Sequence, residues 1–446
     1  MLNNKFINIG VSTALLVGAI STPVFAGSPE TDTSVIFNSL LFLLGGFLVM
    51  WMAAGFAMLE AGLVRSKNVA DICLKNVSLF AVACLMWMLM GYNLMYTGVE
   101  AYFGTFFDLW SPDDVSLKEV AGAAGSDPAA YSTGSDFFFQ MVFVATTASI
   151  VSGTVAERIK IVPFLMFTVV LAGIIYPIQG SWEWGGGWLD QMGFSDFAGS
   201  TLVHSTGGWA ALVGALILGP RDGKYINGQV RPIPGSSMPL ATLGMFILWL
   251  GWFGFNGASQ LAMGTISDIV DISNVFVNTN MAASGGAVAA FVTTKIMYKK
   301  VDLTMVLNGA LAGLVSITAE PLTPLPIEAT LIGAVGGVLV VFAVPFFDKL
   351  KIDDVVGAIS VHLVCGIWGT LAVPITNHAD DVSFLTQLIG VASIGLFVTY
   401  TSAIVWFLLK KTVGIRLSPE DEVRGADISE LGMEAYPEFG KGSQKF

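Results

Sequence analysis

Asp196-Phe-Ala-Gly-Ser-Thr-Leu-Val-His204 and Asp354-Val-Val-Gly-Ala-Ile-Ser-Val-His362 each carry a histidine eight residues after an aspartate, inside an otherwise apolar segment of helix length. The chain has only 3 histidines in 446 residues. A titratable ring in hydrocarbon is expensive to keep, so its presence there points first to a pathway or a site. One buried histidine is more often a hydrogen-bonded core residue. Two in the same frame shift the reading toward a path that handles protons or amines.

Composition sets the solvent around these segments. Of the residues 54% are hydrophobic and 12% charged, with 50 glycines, and the mean hydropathy is +0.72. That balance excludes a soluble domain and describes a polytopic membrane protein, in which glycine lets helices approach closely. Cys73, Cys84 and Cys365 are scattered in or beside apolar spans, so neither a disulfide nor a metal site is expected. Residues 1 to 26 read as a cleaved signal peptide: Lys5, a short apolar run from Ile7 to Ile20, the breaker Pro23 and a Val24-Phe25-Ala26 processing site.

Apolar windows of about 20 residues fall at 35 to 63, 72 to 97, 137 to 156, 161 to 180, 199 to 219, 239 to 258, 274 to 294, 303 to 319, 328 to 347, 355 to 375 and 384 to 409. They predict an all-α polytopic protein with eleven transmembrane helices, a membrane domain over 27 to 409 and a cytoplasmic tail over 410 to 446. With the N-terminus outside, Arg65, Lys67, Arg158, Lys160, Arg221, Lys224 and the later basic loops all fall on the cytoplasmic side, and only Lys118 falls outside. A bias so one-sided sets the orientation. The outer segments collect carboxylates, among them Asp108, Asp113, Asp136, Glu183, Asp190, Asp268 and Asp271. These form either an acidic funnel for cations or loops that are acidic because basic residues are excluded from them.

In this orientation the fifth helix runs inward from Asp196 and the tenth runs outward from Asp354. Eight residues at 1.5 Å per residue put each histidine roughly 12 Å from its own side, near the middle of a core about 30 Å thick. Helices 1 to 5 and 6 to 10 then read as a 5+5 inverted repeat with helix 11 added, and the site lies at the repeat interface. Gly207 and Gly366, and Trp209 and Trp368, follow the histidines at similar offsets. Two histidines without a nearby Cys or carboxylate supply too few ligands for zinc. Ser205 adjoins His204, but neighbours on a helix point about 100° apart, which argues against a hydrolytic dyad.

Trp182, Trp184 and Trp188 cluster beside a Gly-Gly-Gly run at the outer end of helix 4. Such a cluster is by default an interfacial belt; the alternative is an aromatic surface that holds a small cation by its π-face, worth roughly 0.5 to 2 kcal/mol. Gly251-Trp-Phe-Gly-Phe255-Asn256-Gly-Ala-Ser259 offers a ring and a hydroxyl near the outer end of helix 6, and helix 3 offers Phe143.

Several long motifs in order make the chain resemble the ammonium transporter family (Amt/Mep/Rh), of bacterial Amt type, across nearly all of the mature sequence. They are Glu60-Ala-Gly-Leu-Val-Arg-Ser-Lys-Asn68, Gly153-Thr-Val-Ala-Glu157-Arg158, Trp184-Gly-Gly-Gly, the two Asp-to-His segments, Gly251-Trp-Phe-Gly-Phe-Asn256 and Gly366-Ile-Trp-Gly-Thr370. The outer loop over 98 to 135 is longer than the usual pattern.

The resemblance implies a homotrimer in the inner (plasma) membrane, one pore per subunit, conducting ammonium nitrogen with methylammonium as an analogue. It implies no enzyme activity, no cofactor and no nucleic-acid partner. The family's external recruitment site maps onto Phe143, Trp184 and Ser259, its gate onto Phe143 and Phe255, and its pore histidines onto His204 and His362. Asp196, Thr318 and Asn256 map onto supporting positions. Ammonium, deprotonated near the gate, is then expected to pass as ammonia along the histidines. The alternative function is an ammonium sensor signalling through a cytoplasmic partner, and a P-II type regulatory protein is the partner many relatives use at that face.

Overall fold

The computed structural model describes residues 29–114 and 130–439. The expected signal segment and the middle of the long outer loop lie outside those residues. Among the described residues, ten helices are long and apolar enough to cross a membrane: α1 (Asp32–Leu63), α2 (Ser66–Tyr96), α3 (Thr133–Val155), α4 (Ile161–Ser181), α5 (Ser200–Leu218), α6 (Met238–Gln260), α7 (Ile266–Tyr298), α9 (Pro326–Lys349), α10 (Ile359–Thr376) and α11 (Phe384–Thr412). A shorter apolar helix, α8 (Leu303–Ile317), completes the expected eleven. Its 15 residues span only about 22 Å. A two-residue hairpin, Tyr225–Ile226 with Gln229–Val230, sits between α5 and α6.

The polarity is that of a protein dissolved in lipid. Phe47 (57% exposed), Val77 (70%) and Leu396 (74%) face outward, while Glu60, Lys75 and His204 are buried. Many of the interior polar groups bond one another, as hydrocarbon favours. Asn76 and Ser152 donate to Glu60 at 3.0 and 2.8 Å, and Lys75 Nζ donates to the Ser152 carbonyl at 3.1 Å. α2 starts at Ser66 rather than at 72, because its first turns are buried in the bundle instead of forming a loop: Asp71 is buried with its N–H bonded to Asp427 Oδ1.

Antiparallel pairing organises the centre. Gly45, Gly55 and Gly62 of α1 lie against Gly254, Gly244 and Ala241 of α6, so one helix ascends as the other descends. Likewise Gly208 of α5 meets Leu363 of α10, and Gly366 of α10 meets Ser205 of α5. These pairs are helices 1 with 6 and 5 with 10, the partners that an inverted 5+5 arrangement relates.

Crossings alternate, so the chain has two faces, one carrying Trp184 and the other the tail. Residues after α11 fold back under the bundle. Ile159 and Arg416 form a β-bridge, Lys67 Nζ donates to the carbonyls of Glu422 and Val423 at 2.7 and 2.6 Å, and Asp427 Oδ1 accepts the Asp71 N–H at 2.8 Å.

Candidate functional site

Asp196-Phe-Ala-Gly199 and Asp354-Val-Val-Gly357 are not helical. Each forms a cap ending on a glycine in the left-handed region, φ 104° at Gly199 and 84° at Gly357, a conformation that glycine adopts without steric cost. Asp196 accepts the N–H groups of Gly199, Ser200, Thr201 and Leu202 at 2.8 to 3.0 Å. It thereby satisfies the otherwise unpaired donors at the start of α5. Asp354 accepts the N–H groups of Ile359 and Ser360 and the Thr154 hydroxyl. Burial raises its carboxyl to about 6, against the opposing hydrogen bonds of Thr154, Ser360 and Ile359. The expected rise of about 12 Å along a regular helix from each aspartate is therefore replaced by a cap and a single wide turn. His204 N–H bonds the Gly199 carbonyl, five residues back, at 2.9 Å.

Equal caps still deliver the two rings to one place. His362 Nδ1 and His204 Nδ1 lie 3.2 Å apart, with both residues buried. The close approach rests on Gly208 and Gly366, each four residues after its histidine. A Cβ at Gly208 would lie 2.6 Å from Leu363 Cβ, and one at Gly366 2.3 Å from the Ser200 carbonyl. Gly208, rather than the expected Gly207, is thus the counterpart of Gly366; Gly207 packs on Ile150. The tryptophan pairing also dissolves: Trp368 Nε1 donates to the Ile332 carbonyl, while Trp209 packs on Gly395. Gly208→Val is expected to cost about 1–3 kcal/mol by overpacking, seen as a lower melting temperature in detergent together with lost transport, because Leu363 adjoins His362.

A column of rings runs from the Trp184 face to the histidines. Trp184 stands edge-on to Phe143 (centroids 6.1 Å, interplanar angle 77°), and Phe143 stacks on Phe255 (4.0 Å, 22°). Phe255 stacks on His204 at 5.2 Å, and Phe56 lies 6.2 Å from His362. Outside the phenylalanine pair a cavity of ≈ 320 Å³ is lined by Trp184, Phe143, Ser259, Asp136 and three tyrosines. Beyond His362 a narrow space of ≈ 10 Å³ is lined by Phe56, Glu60 and Val361. A second cavity of ≈ 390 Å³ on the tail face reaches Asp354 and Ser360.

The supporting residues divide. Trp184 Nε1 donates to the Asp196 carbonyl at 3.0 Å, so the same aspartate caps α5 and fixes the outer ring. Ser259 Oγ donates to the Phe255 carbonyl at 2.8 Å and faces the cavity beside Trp184. Thr318 accepts Trp252 Nε1 at 2.8 Å, and Trp252 stacks on His204 at 4.9 Å. Asn256 stands apart from the column: it is buried between α6 and α7 and donates to Thr279 at 3.0 Å. Trp252 and Phe56 escaped the sequence reading, although Trp252 precedes Phe255 by three residues and so shares its helix face. Two carboxylates expected in loops are interior groups. Asp136 accepts the Tyr92 hydroxyl at 2.5 Å. Glu183 accepts the Asp196 N–H at 2.9 Å; burial, then the Asp196 charge, pushes its carboxyl well above the usual range.

The family model described as Ammonium Transporter Family matches residues 40–436. The chain belongs to the ammonium transporter family. It is 41% identical to the ammonium transporter Amt2 of Archaeoglobus fulgidus, over 89% of this chain and 87% of that one. It is 38% identical to a putative ammonium transporter of Synechocystis, over 94% and 95%. Among solved structures, one described as a sensor Amt protein aligns with TM-score 0.81 at 36% identity, covering 89% of this chain and 99% of that chain. Mep2 of Candida albicans aligns with TM-score 0.76 at 25% identity, covering 92% of both. This member of the ammonium transporter family is a multi-pass membrane protein whose relatives are named for transport rather than for catalysis.

Proposed function

We propose that the chain moves ammonium nitrogen across the membrane through the column that joins the two cavities. The Trp184 face is the outer one, the tail face is cytoplasmic, and the membrane is the cell's inner (plasma) membrane, reached with a signal peptide at residues 1 to 26. Ammonium exchanges its water at Trp184, Phe143 and Ser259, where ring faces and a hydroxyl oxygen suit a small cation. The stacked Phe143 and Phe255 leave no room for its hydration shell. Passing as a bare ion would cost several kcal/mol at least, so ammonium leaves its proton outside the gate and ammonia goes on.

The observation that carries this reading is the Nδ1···Nδ1 contact of 3.2 Å behind the gate. One hydrogen fits between those nitrogens, so the pair is neutral with complementary tautomers. One outward Nε2 then bears a hydrogen and the other a lone pair. Ammonia, a donor and an acceptor, is met by both. Ammonium-evoked current or pH change in proteoliposomes, mimicked by methylammonium, tests the reading; vesicles that respond no more than empty ones reject it. Trp184→Ala is expected to raise the half-saturating ammonium concentration about three- to tenfold, in line with a π-contact worth about 1 kcal/mol, with maximal current largely retained.

Three such chains form a homotrimer with one pore each, and the tail face is where a P-II type protein docks. A sensor function is the second reading, favoured by the similarity to the sensor Amt structure. A deletion strain that keeps ammonium uptake but loses its nitrogen response would select it.

A further inference from the structure

The outer cavity is much larger than ammonium needs. Its ≈ 320 Å³ is about ten times the volume of one water-sized species. Phe143, Trp184 and Ser259 make only part of its lining; Asp136, Tyr92, Tyr96, Tyr131 and Gln140 are among the rest. Asp136, Gln140 and Phe143 follow one another at i, i+4 and i+7 on α3, which lines them along one face with the carboxylate about 10 Å outward of the gate ring.

Asp136 has no structural duty that accounts for a carboxylate at this place. Ser132 already caps α3 by accepting the Ser135 N–H at 3.2 Å. Among the described residues no Lys, Arg or His lines the cavity, and Asp136 forms no ion pair. Its side chain accepts the Tyr92 hydroxyl at 2.5 Å and a hydrogen bond from the Gln140 side chain, both neutral groups, and the Tyr96 hydroxyl nearby is buried without a partner. Tyr92 and Tyr96 pack ring against ring at 5.2 Å, so the walls beside the carboxylate are aromatic. A single carboxylate inside an aromatic cage is the chemistry that holds ammonium and alkylammonium ions, by charge and by ring faces together.

We propose that Asp136 with Tyr92, Tyr96 and Tyr131 forms a second cation subsite upstream of the gate, which concentrates ammonium and also takes organic ammonium ions too large to pass Phe143 and Phe255. This rests on the reading of the column as an ammonium path and adds its charge selector. Attraction of cations is then the work of one buried carboxylate more than of a diffuse acidic rim.

The test uses the full-length protein and tetramethylammonium as the probe. In proteoliposomes, Asp136→Asn is expected to raise the half-saturating ammonium concentration at least tenfold while maximal current stays within about twofold. Tetramethylammonium is expected to inhibit the wild type competitively without evoking current, and to lose that inhibition in the variant. Asp136→Glu, which keeps the charge, is expected to restore at least part of the tetramethylammonium inhibition. Tetramethylammonium binding followed by tryptophan fluorescence in detergent gives a readout independent of transport, required in wild type and absent in Asp136→Asn. An unchanged half-saturation in Asp136→Asn, a loss of inhibition in Asp136→Glu equal to that in Asp136→Asn, or no binding of the probe to wild type overturns the proposal. A wild type that binds the probe but carries no ammonium-evoked current overturns the transport reading instead, so the two failures are told apart.

Discussion

Replacing His204 and His362 together by alanine is expected to lower ammonium-evoked current and methylammonium uptake about a hundredfold, in protein that still elutes as one folded species. Behind Phe255 the column offers ammonia few polar partners other than the two rings, and the flanking Trp252 has its N–H committed to Thr318. Each hydrogen bond left unmade in such a place costs about 1–3 kcal/mol. Two of them amount to roughly 3 kcal/mol or more, a factor of about a hundred in rate at 1.4 kcal/mol per tenfold. The single variants are expected to be non-additive, because removing either ring also leaves the other Nδ1 without its partner at 3.2 Å. Wild-type flux in the double variant would mean that nitrogen crosses by a route other than this column.

The histidine pair was legible because its determinants are local. An aspartate, a glycine three residues later and a histidine five beyond that recur in two segments, and local hydrogen bonds turn that spacing into two equal caps. The same spacing implies a regular helix from each aspartate, where Gly199 and Gly357 instead take positive φ. D-x-x-G is itself a turn signal, with a carboxylate that accepts the N–H groups ahead of it and a glycine free to take positive φ. The apolar windows gave the helices well, and failed where polarity is satisfied inside the bundle. Asp71 lies outside the second apolar window because a linear pattern does not reveal that it is buried against Asp427 of the tail. Trp252 and Thr318 meet across α6 and the end of α8, a contact between distant segments that spacing alone does not encode. Asp136 was counted with the outer carboxylates; only the fold separates it from them, by bringing Tyr92 of α2 to its carboxyl oxygen.

Asp353→Ala is expected to destabilise the protein by about 3–5 kcal/mol, the usual consequence of removing one partner from a buried ion pair. Asp353 is 1% exposed. It accepts three hydrogen bonds from Arg221: from the backbone N–H at 2.9 Å, Nε at 2.8 Å and Nη2 at 2.9 Å. Its carbonyl accepts Arg158 Nη2 at 2.7 Å. Arg221 also reaches Glu157 at 3.4 Å, which Arg65 grips at 2.5 Å, so one network ties the segments after α1, α3, α5 and α9. Burial works against the Asp353 charge, yet the hydrogen bonds of Arg221 and the charges of Arg158 and Arg221 outweigh it and hold the carboxyl well below its ordinary range. A carboxyl whose folded value is depressed stabilises fully above its unfolded value, near pH 4, and loses that contribution only as pH falls through the folded one. Thermal melts in detergent are therefore expected to separate wild type from variant by a constant margin between pH 5 and 8, and to bring the two together in acid. Transport should fall with stability, because Asp354, the next residue, caps the helix that carries His362. Limited proteolysis is expected to cut the tail sooner in the variant, since the Arg158 carbonyl receives the Leu417 N–H at 3.0 Å. Asp353→Asn, which keeps the shape and removes the charge, decides whether charge or packing dominates: a loss near that of alanine assigns the cost to two arginines left buried without their anion, and a loss below about 1 kcal/mol refutes the electrostatic account.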